Sequence, residues 1–320
     1  MRCLALLVLL GAAVFPAAGQ EPGRVYRVGF LAEGGAALGL IRQYTLPEMA
    51  KAGFVEGHNL VLEVRLADGV SSRLPALASE LSEARLDLVI VQANSAIEAA
   101  RKAMPRTPIV MSYSGDPVGQ GFAESLARPG GVLTGIALQA SESQLKRLET
   151  MHRMLPGARR FGMLVPAQVH DEQRSRMRVA AAKLGVELVF VNASRDSEYE
   201  AAFEALRAAR VDAVLTASHP VYVSDAPELV RRAIALRLPL MCEWREAVVA
   251  GCLVAFGPTH RELRARTANF VVRILRGEAP GEIPIEQPTK FELAINLNTA
   301  KAIGLAIPQL LLLRADEVIE

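Results

Sequence analysis

The chain has 320 residues, of which 51% are hydrophobic and 22% are charged, and its formal net charge is +2. This composition is too apolar for intrinsic disorder, and a chain of this length usually divides into two domains. Nucleic-acid binding requires a strongly basic face, which so small a net charge does not supply. We therefore expect a globular two-domain protein with no nucleic-acid partner.

The first segment has the features of a secretory signal peptide. Arg2 supplies a positive charge, residues 4–15 are uncharged and apolar, and residues 17–19 are small. We predict a signal peptide over 1–19, because the apolar run is shorter than the roughly 20 residues of a membrane span. Cys3 lies too early to be a lipoprotein acceptor. The expected location is periplasmic or extracytoplasmic, where ATP and NAD(P)H are scarce.

In the first half of the chain, β-branched apolar runs alternate with amphipathic helical stretches, which is typical of parallel βαβ units. Strands are predicted at 27–31, 60–66, 86–91, 109–113 and 132–137, and helices at 41–52, 72–83, 95–103 and 119–127. A long helix over 141–154 then carries the chain onward.

The same alternation restarts in the second half. Strands are predicted at 161–165, 186–191, 213–216, 239–242, 253–256 and 291–296, and helices at 172–183, 197–208, 226–235, 262–276 and 299–303, with a Pro-rich connector over 279–288. Arginines on two of these helices are expected to form solvated faces (Arg174, Arg176, Arg178, Arg261, Arg264 and Arg266). The fold class is α/β, with two doubly wound parallel-sheet lobes facing each other across a cleft.

In such sheets, ligands bind outside the carboxyl ends of the strands, and two lobes can hinge shut there. In the first lobe the candidate binding residues are Glu33, Gly34, Gly35, Gln92, Asn94, Ser95, Tyr113, Gly115, Asp116 and Pro117. In the second lobe they are Pro166, Gln168, Ser218, His219, Glu243 and Trp244.

Each of these loops has an alternative interpretation. The glycines after Glu33 form a ligand contact or a flexible turn, and they match a dinucleotide fingerprint poorly. Asn94 or Ser95 is also a candidate helix cap. Asp116 is the best candidate to hold an amine, or else it caps the next helix.

The second lobe leaves similar choices open. Trp244 stacks on a ligand ring or packs in the core, and His219 is more often a structural residue than a proton shuttle. Cys242 and Cys252 form a disulfide or are two buried thiols; we expect each on a short strand, the two strands being joined by a one-turn helix.

Catalytic and metal sites are not predicted. The sequence has no G-x-S-x-G elbow, no marked nucleophile–base set and no Cys/His metal spacing. No cofactor is expected.

With these residues in view, the chain resembles the substrate-binding components of bacterial ABC transporters, a family with relatives that bind aromatic amino acids. The resemblance runs from the first strand to the last residue. It is carried by residues 53–60, 73–78, 115–118, 128–131, 134–135, 243–246, 287–293 and 315–319. The chain departs from the usual pattern at 166–170, where an Asn-rich segment is common, at Cys242 (commonly aromatic) and at Cys252 (commonly Gly).

The resemblance implies a type-I periplasmic binding protein fold with three crossovers, near 137–141, 257–259 and 288–291. One lobe would comprise 25–138 plus 258–288, and the other 139–257 plus 289–320. It also implies a membrane permease as partner, and we expect a monomer.

The sequence thus predicts a solute-binding protein and not an enzyme. An amino acid or aromatic acid would lie in the cleft, with its carboxylate at helix N-termini after Glu33 or Gln92. Its amine would contact Asp116, and its side chain would face Trp244 and Tyr113. A periplasmic ligand sensor of the same fold is the alternative, and an exported enzyme is a third.

Overall fold

The computed structural model describes residues 23–138, 140–166, 169, 171–219 and 221–320, so the predicted signal peptide and Gln168 lie outside it. The first sheet consists of five parallel strands in the order β2-β1-β3-β4-β5. Its strands are β1 Tyr26–Ala32, β2 Leu60–Leu66, β3 Leu88–Gln92, β4 Ile109–Ser114 and β5 Leu133–Ala137.

Helices cover both faces of this sheet. They are α1 Gly35–Leu40, α2 Leu46–Lys51 after a π-helical turn at Ile41–Thr45, α3 Leu74–Ser82 after a 3-10 turn at Ser71–Arg73, and α4 Asn94–Ala103. Alternate residues of β1 and β3 pack into two separate clusters: Phe30 and Ile90 on one side, Leu31 and Val91 on the other. This period of two is expected of strands that are buried on both faces.

The second sheet has seven strands in the order β12-β11-β10-β9-β8-β6-β7. All neighbouring strands are parallel except β10 and β11, which are antiparallel. The strands are β6 Arg160–Val165, β7 Glu187–Asn192, β8 Ala213–Thr216, β9 Leu240–Cys242, β10 Val254–Pro258, β11 Phe291–Asn296 and β12 Glu317–Ile319.

Helices accompany these strands in sequence. They are α5 Ala140–Met154, α6 Asp171–Lys183, α7 Asp196–Ala208, α8 Val221–Ser224, α9 Ala226–Ala235, α10 Arg245–Val249, α11 His260–Leu275, α12 Leu297–Ile303 and α13 Gln309–Leu312. Within the described residues, none of the helices is both long enough and apolar enough to span a bilayer.

Helix α11 returns the chain to the first lobe. It follows β10 of the second sheet, yet its Leu263, Phe270 and Val271 pack in the same cluster as Phe30. The segment after α11 then adds to the edge of the first sheet through a bridge between Ile136 and Glu286. The chain therefore crosses between the lobes three times, and the predicted fold is confirmed. The residue boundaries assigned to the lobes stay a prediction.

One predicted helix is wrong. Residues 119–127 form successive turns instead of a helix. Gly121 adopts a φ of +67°, in the left-handed region that interrupts a right-handed helix. A short strand, β12, was not predicted, and the helix expected to begin near residue 41 begins at Gly35.

Candidate ligand-binding site

The carboxyl ends of strands from the two sheets face each other. His219, which follows β8, places its Nε2 atom 3.7 Å from Oε2 of Glu33, which follows β1. Trp244, which follows β9, has its ring centroid 6.0 Å from that of Tyr113 in β4. Gly34 also lies at this interface, because a Cβ atom there would stand 3.4 Å from Oγ of Ser224. The structure thus brings Glu33, Gly34 and Tyr113 of the first lobe together with His219 and Trp244 of the second.

Glu33 is a buried carboxylate held by hydroxyl groups. The side chains of Ser71 and Ser95 both donate hydrogen bonds to its Oε1 atom, at 2.9 and 2.6 Å. Among the described residues, no lysine or arginine lies within ion-pair distance of it. Its second oxygen faces His219 across the cleft. A carboxylate in this setting is suited to binding a cationic group.

A second network lies beneath Tyr113. Arg264 of α11 donates to Oε1 of Gln92 at 2.6 Å and also to the hydroxyl of Ser112. Gln92 Nε2 in turn donates to the Tyr113 hydroxyl at 2.8 Å. Arg264 is completely buried, so the expectation that it belongs to a solvated face is wrong. It lies on the buried face of α11, one residue after Leu263 and four residues before Ala268.

The second lobe contributes an internal ion pair. Arg147 Nη1 lies 3.1 Å from Glu243 Oε1, and both side chains are almost fully buried. The Ser218 hydroxyl accepts a hydrogen bond from Arg147 Nη2 and donates one to Glu243 Oε1, each at 2.8 Å. Sequence reasoning missed Arg147. Arg147 lies four residues before Met151 on α5, and this spacing could have indicated that it shares the buried face of the helix.

Trp244 belongs to the second lobe but packs in the hydrophobic cluster of the first. Its ring stacks on His260 with centroids 3.9 Å apart. A small cavity lies behind it, lined by Thr216, Ala217, His219, Tyr222, Cys242, Glu243, Trp244 and Ala247. Trp244 therefore packs in the core and joins the lobes, which is one of the two interpretations that its sequence context leaves open. Stacking on a ligand ring stays a prediction.

Cys242 and Cys252 form a disulfide, with Cα atoms 6.5 Å apart. This distance falls within the range that the bond requires. Cys252 precedes β10 instead of lying in it, so the expectation that both cysteines lie on strands is wrong for Cys252. The bond closes the loop that carries Glu243, Trp244 and α10.

Asn94 and Ser95 are the first two residues of α4 and do not cap it. Asn94 Oδ1 accepts hydrogen bonds from Ser114 Oγ at 2.8 Å and from the backbone N–H of Gly115 at 3.4 Å. Ser95 donates to Glu33, so neither side chain caps the helix. The side-chain oxygens of Asn94 and Ser95 instead form hydrogen bonds that link the ends of neighbouring strands.

The other predicted residues lie outside these networks. Asp116 is exposed, and its Oδ1 atom accepts a hydrogen bond from the backbone N–H of Gly119 at 2.8 Å. Pro117 and Pro166 are buried at strand ends, and Gly35 begins α1.

Burial keeps two titratable groups of the cleft neutral. It lowers the pKa of His219, although the carboxylates of Glu33 and Glu243 act in the opposite direction. It raises the pKa of the Tyr113 hydroxyl, with Arg264 opposing. At neutral pH the cleft therefore presents a neutral imidazole and a phenol. Among the described residues, His, Cys, Asp and Glu form no cluster suited to a metal ion.

The comparisons with known proteins agree with this architecture. A family model described as ABC transporter substrate binding protein matches residues 35–319. This chain belongs to that family. Members bind small-molecule solutes, work with membrane permeases and are in general extracytoplasmic. The family and the fold are those of solute-binding proteins and not of enzymes.

Individual relatives extend the comparison. The chain is 25% identical over 255 residues to a tyrosine-binding protein of Clostridioides difficile, covering 79% of this chain and 73% of the relative. Solved structures with the same fold include a conserved domain protein of Vibrio cholerae, with 23% identity and a TM-score of 0.86. Another is an ABC domain from Streptococcus pneumonia in complex with L-Trp, with 21% identity and a TM-score of 0.82. Each match covers 92% of this chain and 100% of the solved chain.

Proposed function

We propose that this protein is the extracytoplasmic solute-binding component of an ABC transporter and that it takes an amino acid or an aromatic acid into the interlobe cleft. The observation that carries the proposal is Glu33, a buried carboxylate with hydroxyl donors and no cationic partner among the described residues. An ammonium group would supply the missing positive charge. The rings of Tyr113 and Trp244, whose centroids lie 6.0 Å apart, would together offer an aromatic surface to an apolar side chain of the solute.

We assign the amine of the solute to Glu33 in preference to Asp116. Asp116 is exposed, and one of its oxygens already accepts a hydrogen bond from Gly119. Hydrogen bonds to a charged group contribute most where water is excluded, which favours the buried carboxylate. The tyrosine-binding relative and the L-Trp complex support an amino acid as solute.

Closure of the two lobes is the proposed mechanism. His219 and Trp244 from the second lobe meet Glu33 and Tyr113 from the first, so a solute held on the first lobe would gain contacts only when the lobes close. Such differential contacts shift the population toward the closed form. The permease would then recognise that form.

Export is part of the same proposal. We propose that residues 1–19 are a cleaved signal peptide, that the mature protein is a monomer without a lipid anchor, and that the lobes have the boundaries given above. The mass of the protein recovered from the periplasm, together with light scattering, tests this. A mature chain beginning after Gly19 supports cleavage at the predicted site, and a retained leader contradicts it.

The binding proposal is tested with mature protein that has been unfolded and refolded to remove bound solute. L-Tyrosine, L-tryptophan, other amino acids, aromatic acids and small peptides are each added, and melting temperature is measured. A solute at a hundredfold excess over its Kd stabilises the native state by about 2.7 kcal/mol. One chemical class should give such a shift, and the absence of a shift with every class would contradict the proposal.

Two variants test the assignment of the amine. Glu33→Gln should weaken binding of the amino acid by at least about tenfold, because it replaces a charge-assisted hydrogen bond. Asp116→Asn is the matched control and should leave affinity unchanged. If Asp116→Asn loses binding and Glu33→Gln does not, the amine is bound by Asp116 and the assignment to Glu33 is wrong.

A further inference from the structure

Arg264 is a buried positive charge without a negative partner. Its side chain has no exposed surface, and its Nε atom has no hydrogen-bond partner. Among the described residues, no carboxylate lies within 4.0 Å of its guanidinium. Burying an ion costs several kcal/mol unless an opposite charge compensates it, so an uncompensated arginine calls for an anion nearby.

The groups around Arg264 are neutral. Burial lowers its own pKa to about 10, so the guanidinium stays charged at neutral pH. The Tyr113 ring lies 5.9 Å from the guanidinium carbon, and its hydroxyl is un-ionised. Burial, together with Arg264, holds the pKa of His260 well below its usual value, so this imidazole adds no positive charge. Ser112 and Thr267 contribute hydroxyl groups.

Two successive hydrogen bonds connect the Arg264 guanidinium, through Gln92, to the Tyr113 hydroxyl. An arginine only donates, so the Gln92 atom that faces Arg264 must be its carbonyl oxygen. The Gln92 amide then points to Tyr113, whose hydroxyl oxygen accepts that hydrogen bond. Because its acceptor role is occupied by Gln92, the Tyr113 O–H is left to donate. Tyr113 also faces Trp244, so this donor lies at the junction of the lobes.

We infer that the solute carries a carboxylate that accepts a hydrogen bond from the Tyr113 hydroxyl, and that Arg264 is the positioning residue that sets this preference through Gln92. The inference rests on the proposed function and names the second end of the solute, opposite in charge to the ammonium on Glu33. Arg264 acts without touching the solute. It fixes the orientation of the Gln92 amide and supplies a positive field under the phenol.

The test compares carboxylic acids with their neutral amides. L-Tyrosine and L-tyrosinamide, L-tryptophan and L-tryptophanamide, and benzoate and benzamide are titrated into refolded protein by calorimetry. The wild type should bind the acid of a pair about 10- to 100-fold more tightly, as expected for loss of a charge-assisted hydrogen bond. Arg264→Met should reduce this ratio to within about threefold, and Arg264→Lys should retain part of it.

Two further variants separate specificity from folding. Arg266→Met lies on the same helix and removes an arginine that is paired with Glu262 and Glu286, so it should keep the acid preference of the wild type. Tyr113→Phe keeps the ring and removes the donor, so it should lose the preference even if Arg264→Met does not fold.

The outcomes distinguish this inference from the proposed function. Equal affinity of the wild type for acid and amide overturns the inference and leaves solute binding intact. An acid preference that survives in both Arg264→Met and Tyr113→Phe also overturns it. Binding of neither member of any pair overturns both the inference and the proposed function.

Discussion

The two faces of the cleft differ in whether their buried charges have an ionic partner. On the first lobe, Glu33 and Arg264 are each surrounded by neutral hydroxyl and amide groups, and neither has an ionic partner among the described residues. On the second lobe, Arg147 and Glu243 neutralise each other and share Ser218. This difference supports the proposal that the first face binds a charged solute, since on the second face the two charges pair with each other. Substitution of Arg147 should therefore impair folding, and substitution of Glu33 or Arg264 should impair binding.

The largest expected effect is on the second face. Arg147→Met leaves the Glu243 carboxylate buried and unpaired, which should lower the free energy of unfolding by about 3–5 kcal/mol. Urea denaturation measures this change. The double variant Arg147→Met/Glu243→Met removes both charges and should regain most of the loss. If the free energy of unfolding of Arg147→Met lies within about 1 kcal/mol of the wild-type value, Glu243 does not depend on Arg147 for its charge compensation.

The disulfide gives the next largest effect. Replacing Cys242 and Cys252 by serine frees the loop that carries Glu243 and Trp244, and restraint of a loop of this size contributes about 2–3 kcal/mol. Thermal unfolding of the double variant should show this loss, and reductant should have no further effect on it. Free thiols that react in the unreduced mature protein, which lacks Cys3, would contradict the bond.

The pH dependence tests the junction between the faces. His260 stacks on Trp244, and its pKa in the native state lies well below that of the unfolded chain. The unfolded state therefore binds the proton first, so stability should fall as pH decreases through about 6.5. The loss should be about 1–2 kcal/mol between pH of about 7 and 5.

His260→Gln should flatten this pH profile. His219→Gln should flatten it less, because His219 is only partly buried and nearby carboxylates oppose the shift. His58, which lies on the exposed surface, provides the control for the substitution itself as His58→Gln. A wild-type profile that His260→Gln does not flatten would contradict a neutral His260 in the native state.

The sequence was sufficient for most of the fold because strand and helix periodicities are local. The strands β2 and β8 and the helix α9 have the predicted bounds, and the three crossings follow the family resemblance. The helix over 119–127 failed because its composition is helical, whereas Gly121 takes a left-handed conformation that composition does not reveal.

The networks of the site were harder to predict because their partners come from distant segments. Glu33 was identified from its place after a strand, but its donors Ser71 and Ser95 lie on separate elements. Arg264 was assigned to a solvated face because charged residues on helices are usually exposed to solvent. Only the packing of α11 against β4 shows that this arginine is buried.

Trp244 allows the central claim, closure of the lobes around a solute, to be measured directly. It is the only tryptophan in the chain, and it is 3% exposed where the second lobe contacts the first. Tryptophan emission, excited at a wavelength that tyrosine does not absorb, and acrylamide quenching would be followed while refolded protein is titrated with L-tyrosine, or with whichever solute other than tryptophan raises the melting temperature. The account predicts a saturable shift to shorter wavelength and reduced quenching, at the Kd that calorimetry gives. Calorimetric binding with unchanged emission and quenching would contradict closure around the solute.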